Sequence, residues 1–364
     1  MRTLQNIFVT GGAGFIGNNF IRFLLEKADV FSGRIINLDA LTYAGNRLSL
    51  ADIEARYRTA KNCGKIRYFF EHGDICDRTL VETIFKNYEI DTVVHFAAES
   101  HVDRSILGPE AFIKTNIIGT FNLLDVARNV WQDRQDTLFH HISTDEVYGS
   151  LGETGYFTEN TAYDPRSPYS ASKAGSAHLV MAYNHTYGLP VTISNCSNNY
   201  GPYQFPEKFI PLMILNMFEG KPLPVYGDGK HIRDWLYVED HNSAVWAIIQ
   251  SGISGETYNI GGENEWENIR LLDELIDIVA EKTNKNSADI RKTITFVKDR
   301  PGHDRRYASD CSKIKHKLGW RQIVNFKERL TQTVEWYMKN KQWVDCIRSG
   351  EYQQWVEKNY KQRK

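Results

Sequence analysis

A glycine-rich loop near the start of the chain constrains the fold more than any other feature. The apolar run of residues 7–10 leads directly into the loop GGAGFIG at residues 11–17, and an amphipathic helical segment, residues 16–27, follows. Glycines at this spacing permit a tight turn and a close approach of the backbone to a pyrophosphate, and the helix N-terminus offers free N–H groups to the phosphates. The loop therefore predicts a dinucleotide site whose contacts are Gly11, Gly14, Phe15, Ile16 and Gly17.

An acidic residue indicates which dinucleotide this loop binds. Asp39 closes the second apolar run, where the dinucleotide-binding motif requires an acid. A carboxylate at this place accepts hydrogen bonds from the ribose hydroxyls and repels a 2′-phosphate. NAD is the predicted cofactor, and Arg47, which could pair with a 2′-phosphate, leaves NADP open as an alternative.

Apolar runs and amphipathic segments alternate along the first half of the chain. The predicted strands are residues 7–10, 34–38, 66–71, 92–96, 138–143 and 191–195. The predicted helices are residues 16–27, 77–87, 112–131 and 169–187. Strands that are apolar nearly throughout are typical of a parallel sheet covered on both faces, so the alternation predicts an α/β fold with a doubly wound, Rossmann-type sheet.

The pattern changes after about Tyr200, where Gly and Pro become frequent. A strand at 235–238, a helix at 240–250, a strand at 257–260, a helix at 269–283 and a polar, Trp-rich tail are predicted there. We therefore expect two domains. Residues 1–195 plus about 233–260 would form the NAD-binding domain, and about 196–232 plus 261–364 a smaller mixed α/β substrate lobe.

The composition argues against several other classes of protein. The chain has 44 Lys and Arg residues against 45 Asp and Glu residues and no basic run, so we expect no nucleic-acid partner. Its five cysteines are scattered without a C-x-x-C pair, and the adjacent His140 and His141 would face opposite sides of a strand, so no metal site is predicted. We see no signal-peptide core and no run approaching the ~20 apolar residues of a membrane span, so a cytoplasmic protein is expected.

Candidate catalytic residues follow the fifth predicted strand. Thr144, Asp145 and Glu146 come directly after it, and the segment SPYSASK follows at residues 167–173. Ser167 could cap a helix there, which would place Tyr169 and Lys173 one turn apart on the same face. A lysine ammonium and a positive nicotinamide would lower the pKa of the phenol toward neutrality, so that the phenolate could act as a base on a sugar hydroxyl.

Longer segments resemble the dTDP-glucose 4,6-dehydratases, a family of extended short-chain dehydrogenases. They are TGGAGFIG (10–17), LTYAGN (41–46), AAESHVDRS (97–105), STDEVYG (143–149), SPYSASK (167–173), NCSNNYGP (195–202), IRDWLYVEDH (232–241) and RPGHDRRYA (300–308). The resemblance covers roughly residues 6 to 340. The glycine loop and the Tyr–Lys pair belong to the whole superfamily, whereas the adjacent Asp-Glu after the threonine is specific to dehydratases.

The Asp-Glu pair suits a dehydration rather than an epimerisation. A 4-epimerase only removes a hydride from C4 and returns it to the other face, but eliminating water across C5–C6 also needs a base and an acid. Adjacent carboxyls can serve if their environments push their pKa values apart. They must then lie where the strand breaks into a turn, which Gly149 permits.

The resemblance implies a role for each of these residues and a hydro-lyase reaction. Asp145 is implied as the general acid and Glu146 as the base, with Thr144 bonded to the C4 oxygen. Tyr169 is implied as the base that assists hydride transfer to NAD, and Lys173 as its electrostatic partner and ribose anchor. The product would be a nucleotide-linked 4-keto-6-deoxyglucose, a precursor of rhamnose and other deoxysugars.

The resemblance also implies contacts with both ligands. Further cofactor contacts are Asp39, Leu41, Thr42, Asp74, Ile75, Ala97, Ala98, Ser100, Thr115, Tyr169, Lys173 and Asn199. Substrate contacts are Ser100, Thr144, Asn198, Lys208, Arg233, Asn268, Arg300, His303 and Tyr307.

Two alternatives and one assembly state accompany this interpretation. Ala40, Glu263 and Trp266 vary from the common family pattern, and the last two leave a UDP-, CDP- or GDP-linked sugar open as substrate. A nucleotide-sugar 4-epimerase is the other alternative. Family members are usually homodimers paired through helices equivalent to residues 112–131 and 169–187, so a homodimer is expected.

Overall fold

The computed structural model describes residues 2–27, 31–59, 64–132, 134, 136–323 and 325–348. Its strands, in chain order, are β1 (Asn6–Thr10), β2 (Arg34–Asp39), β3 (Tyr68–His72), β4 (Thr92–His95), β5 (Leu138–Thr144), β6 (Val191–Cys196), β7 (Asn198–Tyr200), β8 (Leu223–Tyr226), β9 (Ile232–Tyr237), β10 (Glu256–Ile260), β11 (Glu265–Glu267) and β12 (Ile294–Val297).

The α-helices are α1 (Phe15–Arg22), α2 (Ala51–Tyr57), α3 (Arg78–Tyr88), α4 (Val102–Leu107), α5 (Glu110–Phe112), α6 (Thr120–Trp131), α7 (Pro168–Tyr187), α8 (Phe209–Glu219), α9 (Val238–Ser251), α10 (Asn268–Thr283), α11 (Ser287–Arg291), α12 (Ser312–Leu318), α13 (Phe326–Lys339) and α14 (Lys341–Ile347). Short 3₁₀ helices cover Arg47–Leu50 and Asp145–Tyr148, and π-helical segments cover Phe23–Lys27 and Ile113–Gly119. None of the helices in the described ranges is long and apolar enough to cross a membrane.

Seven strands form one parallel sheet in the order β10-β6-β5-β4-β1-β2-β3. The six strands predicted in the first half correspond to β1–β6, and the strand predicted at 257–260 returns to this sheet as β10. The order β3-β2-β1-β4-β5-β6 is that of dinucleotide-binding sheets. The predicted doubly wound fold is therefore confirmed.

Both faces of this sheet are covered, which explains its nearly continuous apolar strands. Ile7 and Val9 of β1 belong to one core with Phe20 of α1, whereas Phe8, between them, belongs to the core on the other face. In that core the rings of Phe8 and of Phe85 from α3 pack edge to face, with 5.7 Å between their centres. Successive side chains of a buried strand thus enter two separate cores, because they alternate between the faces of the sheet.

A smaller lobe contains short sheets in which only β9, predicted as a strand at 235–238, was indicated by the sequence. Strands β11, β9 and β7 form one sheet, and β12 pairs with β8. The lobe has its own core, which includes Leu271, Leu275 and Ile276 of α10 and Val334 of α13. The predicted domain limits stay a prediction. The Trp-rich tail is helical as far as Ile347, and residues 349–364 lie outside the described residues.

Two predicted helices differ from the continuous α-helices expected. The segment predicted at 16–27 is α-helical to Arg22 and π-helical from Phe23 to Lys27. The segment predicted at 112–131 contains the π-helical turns Ile113–Gly119 between α5 and α6. The widened turns bury Asn116, whose Nδ2 donates to Ser172 Oγ at 2.8 Å on α7. π-Helical turns interrupt helices mostly at functional sites, and this one lies beside the catalytic helix predicted from the sequence.

Candidate active site

A cleft of about 310 Å³ opens at the carboxyl ends of the central strands. Ligands bind at this edge of open α/β sheets. The predicted cofactor, catalytic and substrate residues that line the cleft are Gly11, Gly14, Phe15, Ile16, Gly17, Asp39, Thr42, Asp74, Ile75, Ala97, Ala98, Ser100, Thr115, Thr144, Asp145, Glu146, Tyr169, Lys173, Asn198, Asn199 and Lys208. The predicted contacts Leu41, Arg233, Asn268, Arg300, His303 and Tyr307 lie outside this lining.

The glycine loop leaves no room for side chains. Gly11 has a φ of +72°, and a Cβ on it would lie 2.6 Å from the Ala97 backbone nitrogen. A Cβ on Gly17 would lie 2.4 Å from the carbonyl oxygen of Gly11. The loop can therefore bring its backbone against a ligand and pack helix α1 closely on β1, as a pyrophosphate of NAD requires.

Asp39 and Arg47, the two residues that bear on the choice between NAD and NADP, have different hydrogen-bond partners. The Asp39 carboxylate accepts from the backbone N–H groups of Ala13 and Leu41, both at 2.8 Å, and burial raises its pKa. Leu41 thus orients Asp39. Arg47 donates to both carboxylate oxygens of Glu54, at 2.7 and 2.9 Å, and its guanidinium lies 4.5 Å from the ring centre of Phe70. A cation held this way is poorly placed for a 2′-phosphate, which favours NAD over NADP.

The predicted carboxyl pair lies where β5 ends. The strand stops at Thr144, and a 3₁₀ turn over Asp145–Tyr148 follows, closed by Gly149 with a φ of +84°. Thr144 caps this turn, because its Oγ1 accepts from the backbone N–H of Glu146 at 3.3 Å. The prediction that the pair occupies a strand-to-turn break is confirmed, and both carboxyls face the same cleft.

The two adjacent carboxyls have different electrostatic surroundings. Burial raises the pKa of Asp145 well above its usual range, and the nearby acids Glu146 and Asp234 raise it further. Burial also raises the pKa of Glu146, but the cations Arg300, Arg233 and Lys208 lower it in part. Asp145 is thereby favoured as the protonated partner and Glu146 as the ionised one, the arrangement that acid–base pairs need.

Helix α7 carries the Tyr–Lys pair and begins as predicted. Ser167 forms a reciprocal capping box with Ser170, and Pro168 is the first helical residue. Lys173 Nζ donates to the carbonyl oxygen of Ile142 at 2.6 Å, and burial lowers the pKa of Lys173 to about 8.

The surroundings of Tyr169 within the protein raise its pKa. Burial raises it well above the usual value, and the charge of Glu146 raises it further. The groups that the protein itself supplies therefore do not lower the pKa of Tyr169. The expectation of a lowered pKa included a positive nicotinamide beside the phenol, and it stays a prediction.

Another part of the cleft lining contains charged residues that were not predicted from the sequence. Glu207 lines the cleft beside Lys208 and contacts Arg104 at 3.3 Å, and burial raises the pKa of Glu207 to about 7. Lys208 Nζ donates to the carbonyl oxygen of Ser100 at 3.0 Å. Glu99 also lines the cleft. The only signal in the sequence was the position of Glu207 directly before a predicted substrate residue.

Five predicted substrate residues form a second group near the cleft. The Arg233 guanidinium lies 4.2 Å from the ring centre of Tyr307, and His303 stacks on His231 at 3.7 Å between ring centres. The backbone N–H of Asn268 donates to the carbonyl oxygen of His231. Arg300 and Arg233 act electrostatically on Glu146, which places this group toward the same site.

The same group contains two histidines and an acid at close range. His303 Nδ1 lies 2.6 Å from Asp299 Oδ1, and His231 Nε2 lies 3.3 Å from Asp299 Oδ2. Their possible ligand atoms lie within 4.8 Å of one another, a spacing that a metal ion could use. The prediction that the chain has no metal site stays a prediction.

Comparison with known proteins identifies the family. Residues 8–333 match the family model described as GDP-mannose 4,6 dehydratase. The dTDP-glucose 4,6-dehydratase 1 of Escherichia coli (strain K12) is 53% identical over 373 residues, which cover 99% of this chain and 100% of that protein. The dTDP-glucose 4,6-dehydratase of Salmonella typhimurium (strain LT2) is 52% identical with the same coverage.

Solved structures agree with this assignment. The dTDP-glucose 4,6-dehydratase from Streptomyces venezuelae, solved with NAD and TYD bound, has a TM-score of 0.85 and 43% identity, covering 94% of this chain and 100% of that one. A UDP-glucose 4-epimerase from Thermotoga maritima, solved with UDP-glucose, has a TM-score of 0.79 and 28% identity, covering 93% and 100%. The chain belongs to the GDP-mannose 4,6 dehydratase family of extended short-chain dehydrogenases, as its sequence motifs predict.

Proposed function

We propose that this protein is a hydro-lyase that converts dTDP-glucose to dTDP-4-keto-6-deoxyglucose with NAD as its cofactor. The observation that carries the proposal is the pair Asp145 and Glu146, which are adjacent in sequence, line one cleft and have carboxyl pKa values set by different neighbouring charges. The names of relatives at 52% and 53% identity, and a structural neighbour solved with NAD and TYD, support the same reaction and nucleotide.

The residues of the cleft fit NAD. Gly11 and Gly17 leave the pyrophosphate its space, Asp39 would bind the adenosine ribose, and Lys173 would bind the nicotinamide ribose. Bound NAD⁺ would accept the hydride of C4 and later return it to C6. The buried amide oxygen of Asn199 has no hydrogen-bond partner among the described residues, so it is available to a ligand in this cleft.

The protein's own groups would move the protons of the reaction. Tyr169 would accept the proton of the C4 hydroxyl while Thr144 holds that oxygen by a hydrogen bond. A ketone at C4 acidifies the proton on C5, which Glu146 would remove, and Asp145 would protonate the departing C6 hydroxyl so that it leaves as water. The Glu146 carboxyl, after exchanging its proton with solvent, would protonate C5 when the hydride reaches C6. The proton on Tyr169 would pass through solvent to Asp145, which restores both groups.

The cations near the cleft would hold the nucleotide. Lys208, Arg233 and Arg300 suit the two phosphates, because charged donors bind phosphate oxygens most strongly. Asn268, His303 and Tyr307 would contact the nucleoside, with Ser100 and Asn198 beside the sugar. This end of the site determines which nucleotide sugar is used.

The reaction can be tested with four candidate substrates in deuterated water. We expect dTDP-glucose to lose one water and to gain solvent deuterium at C5, without net NADH, fastest among dTDP-, UDP-, CDP- and GDP-glucose. Mass spectrometry and proton NMR would follow the product. Faster turnover of another nucleotide sugar would change the substrate that we assign. Formation of a galactose nucleotide without a mass change would show that the protein is an epimerase and not a dehydratase.

The assembly we infer is a homodimer formed through the helices of residues 110–131 and 168–187. Three apolar side chains of the first segment are unusually exposed in the single chain: Ile118 at 50%, Ile113 at 46% and Phe121 at 42%. Ile118→Glu should shift sedimentation from dimer to monomer. Ile253→Glu, at a residue exposed to 53% elsewhere, is the matched control. A monomeric wild-type protein at micromolar concentration would exclude the dimer.

A further inference from the structure

Two segments of chain form lips of the cleft. The first lip, residues 42–50, follows β2, and its first four residues line the cleft. The second lip, residues 198–208, contributes Asn198, Asn199, Gln204, Phe205, Glu207 and Lys208. The rings of Tyr43 and Phe205 meet edge to face with 5.6 Å between their centres, so the lips touch there.

The second lip is held from outside by the C-terminal helices. The ring of Tyr203 lies 4.6 Å from that of Trp336 and 5.5 Å from that of Trp343, with the Arg22 guanidinium 4.8 Å away. Tyr203 has a φ of +66°, a backbone conformation that a side chain disfavours and that persists only where the surroundings impose it. Tyr337 also donates from its hydroxyl to the carbonyl oxygen of Gln204 at 2.5 Å.

The same helices reach the first lip through one side chain. Trp343 Nε1 donates to Ser49 Oγ at 2.9 Å. Ser49 is only 2% exposed and lies in the 3₁₀ turn that Asn46 caps, directly after the residues that line the cleft. Trp343 therefore contacts both lips at once, although it comes from a helix at the far end of the chain.

We propose that Trp343 is a positioning residue that clasps the two lips together and thereby slows the release of NAD. The clasp rests on the proposed NAD site. The dinucleotide would lie between the lips, so its departure requires them to separate, and separation breaks the indole–serine hydrogen bond and the packing on Tyr203. Trp343 makes no contact with the reacting atoms, so it should affect cofactor retention and leave the chemical steps unchanged.

The test compares graded substitutions in the full-length protein. Trp343→Phe keeps a ring but removes the hydrogen bond and should raise the NAD dissociation constant about fivefold. Trp343→Ala also removes the ring and should raise it about thirtyfold, with kcat at saturating NAD within about twofold of wild type. The matched control is Trp320→Phe, whose indole donates to Ser243 Oγ at 2.8 Å away from the cleft lining. NAD release and thermal unfolding are measured for every variant.

A second variant tests the clasp without altering the C-terminal helices. Ser49→Ala removes the same hydrogen bond from the other side and should match Trp343→Phe. Combined, the two changes should still raise the dissociation constant only about fivefold, because both delete one interaction. The clasp would be overturned if the effects of the two substitutions on the NAD dissociation constant multiplied, or if the Trp343 and Ser49 variants retained NAD as well as Trp320→Phe does. Either result would leave the proposed function standing. A wild-type protein that binds no NAD would overturn the proposed function and the clasp with it.

Discussion

The two walls of the cleft are built on different physical principles. The wall that carries the glycine loop presents backbone atoms to the cleft. Gly11 and Gly17 lie so close to neighbouring backbone atoms that a Cβ on either would clash. A second wall acts through charge: it contains Glu207 and Lys208, and Arg233 and Arg300 act on Glu146 from outside the cleft lining. The first wall depends on shape and local sequence, whereas the second depends on buried charges assembled from distant parts of the chain.

Substitutions that alter charge without altering shape should affect the second wall most. Glu146→Gln and Asp145→Asn should each lower kcat on the order of a thousandfold, since each removes one proton-transfer group. NAD binding, measured by calorimetry, should stay near the wild-type value. Glu153→Gln, at an exposed residue, is the control. Full turnover by Glu146→Gln would remove its assignment as base.

Tyr169 lies where the two walls meet, and its role depends on its hydroxyl alone. Tyr169→Phe should lower kcat by about a hundredfold, because the proton of the C4 hydroxyl loses its acceptor. Tyr183→Phe on the same helix, whose hydroxyl lies 3.5 Å from Asp125, is the matched control. Stopped-flow absorbance of the transient NADH would locate the defect. Near-normal rates would show that another group accepts this proton.

A shape change should affect the first wall and leave the chemistry intact. The Cβ of Gly17→Ala would lie 2.4 Å from the Gly11 carbonyl oxygen, so the loop must shift. We expect the NAD dissociation constant to rise about tenfold or more, as overpacking of close contacts costs about 1–3 kcal/mol. Gly108→Ala, which meets no atom within 4 Å, is the control. Unchanged NAD affinity would show that the loop tolerates a side chain.

This contrast also explains how much could be predicted from the sequence. Strands β1–β6, the Ser167 cap and the turn after Thr144 depend on residues close together in the chain, and all were predicted. Strands of the small lobe, such as β7 and β11, have only three residues and form through partners far away in sequence. For the same reason the sequence did not reveal that burial raises the pKa of Tyr169: burial is a property of the folded chain, which motif spacing does not report.

A smaller effect, on the pH dependence of kcat/KM, is expected from the titration of Lys173. Burial lowers its pKa to about 8, so the ammonium loses its proton as pH rises through that value. If the charged form is required, kcat/KM should fall about tenfold between about pH 7 and pH 9, because it reports groups of the free enzyme. Lys173→Arg, although less active, should lose this alkaline decline, since arginine stays protonated. A wild-type profile that is flat to pH 9 would exclude the requirement.

The smallest expected effect concerns Arg47, a cation that follows the cleft-lining residues 42–45. Its guanidinium is held by Glu54 at an exposed position, and such ion pairs contribute about 0–1 kcal/mol. Arg47→Ala should therefore change the ratio of NAD to NADP affinity by less than about threefold. Glu54→Gln, which loosens Arg47, should improve NADP binding slightly but leave NAD preferred, because Asp39 still repels a 2′-phosphate. If Glu54→Gln reversed the preference, the pairing of Arg47 with Glu54 rather than the charge of Asp39 would govern cofactor choice, and the role of Asp39 in excluding NADP would fail.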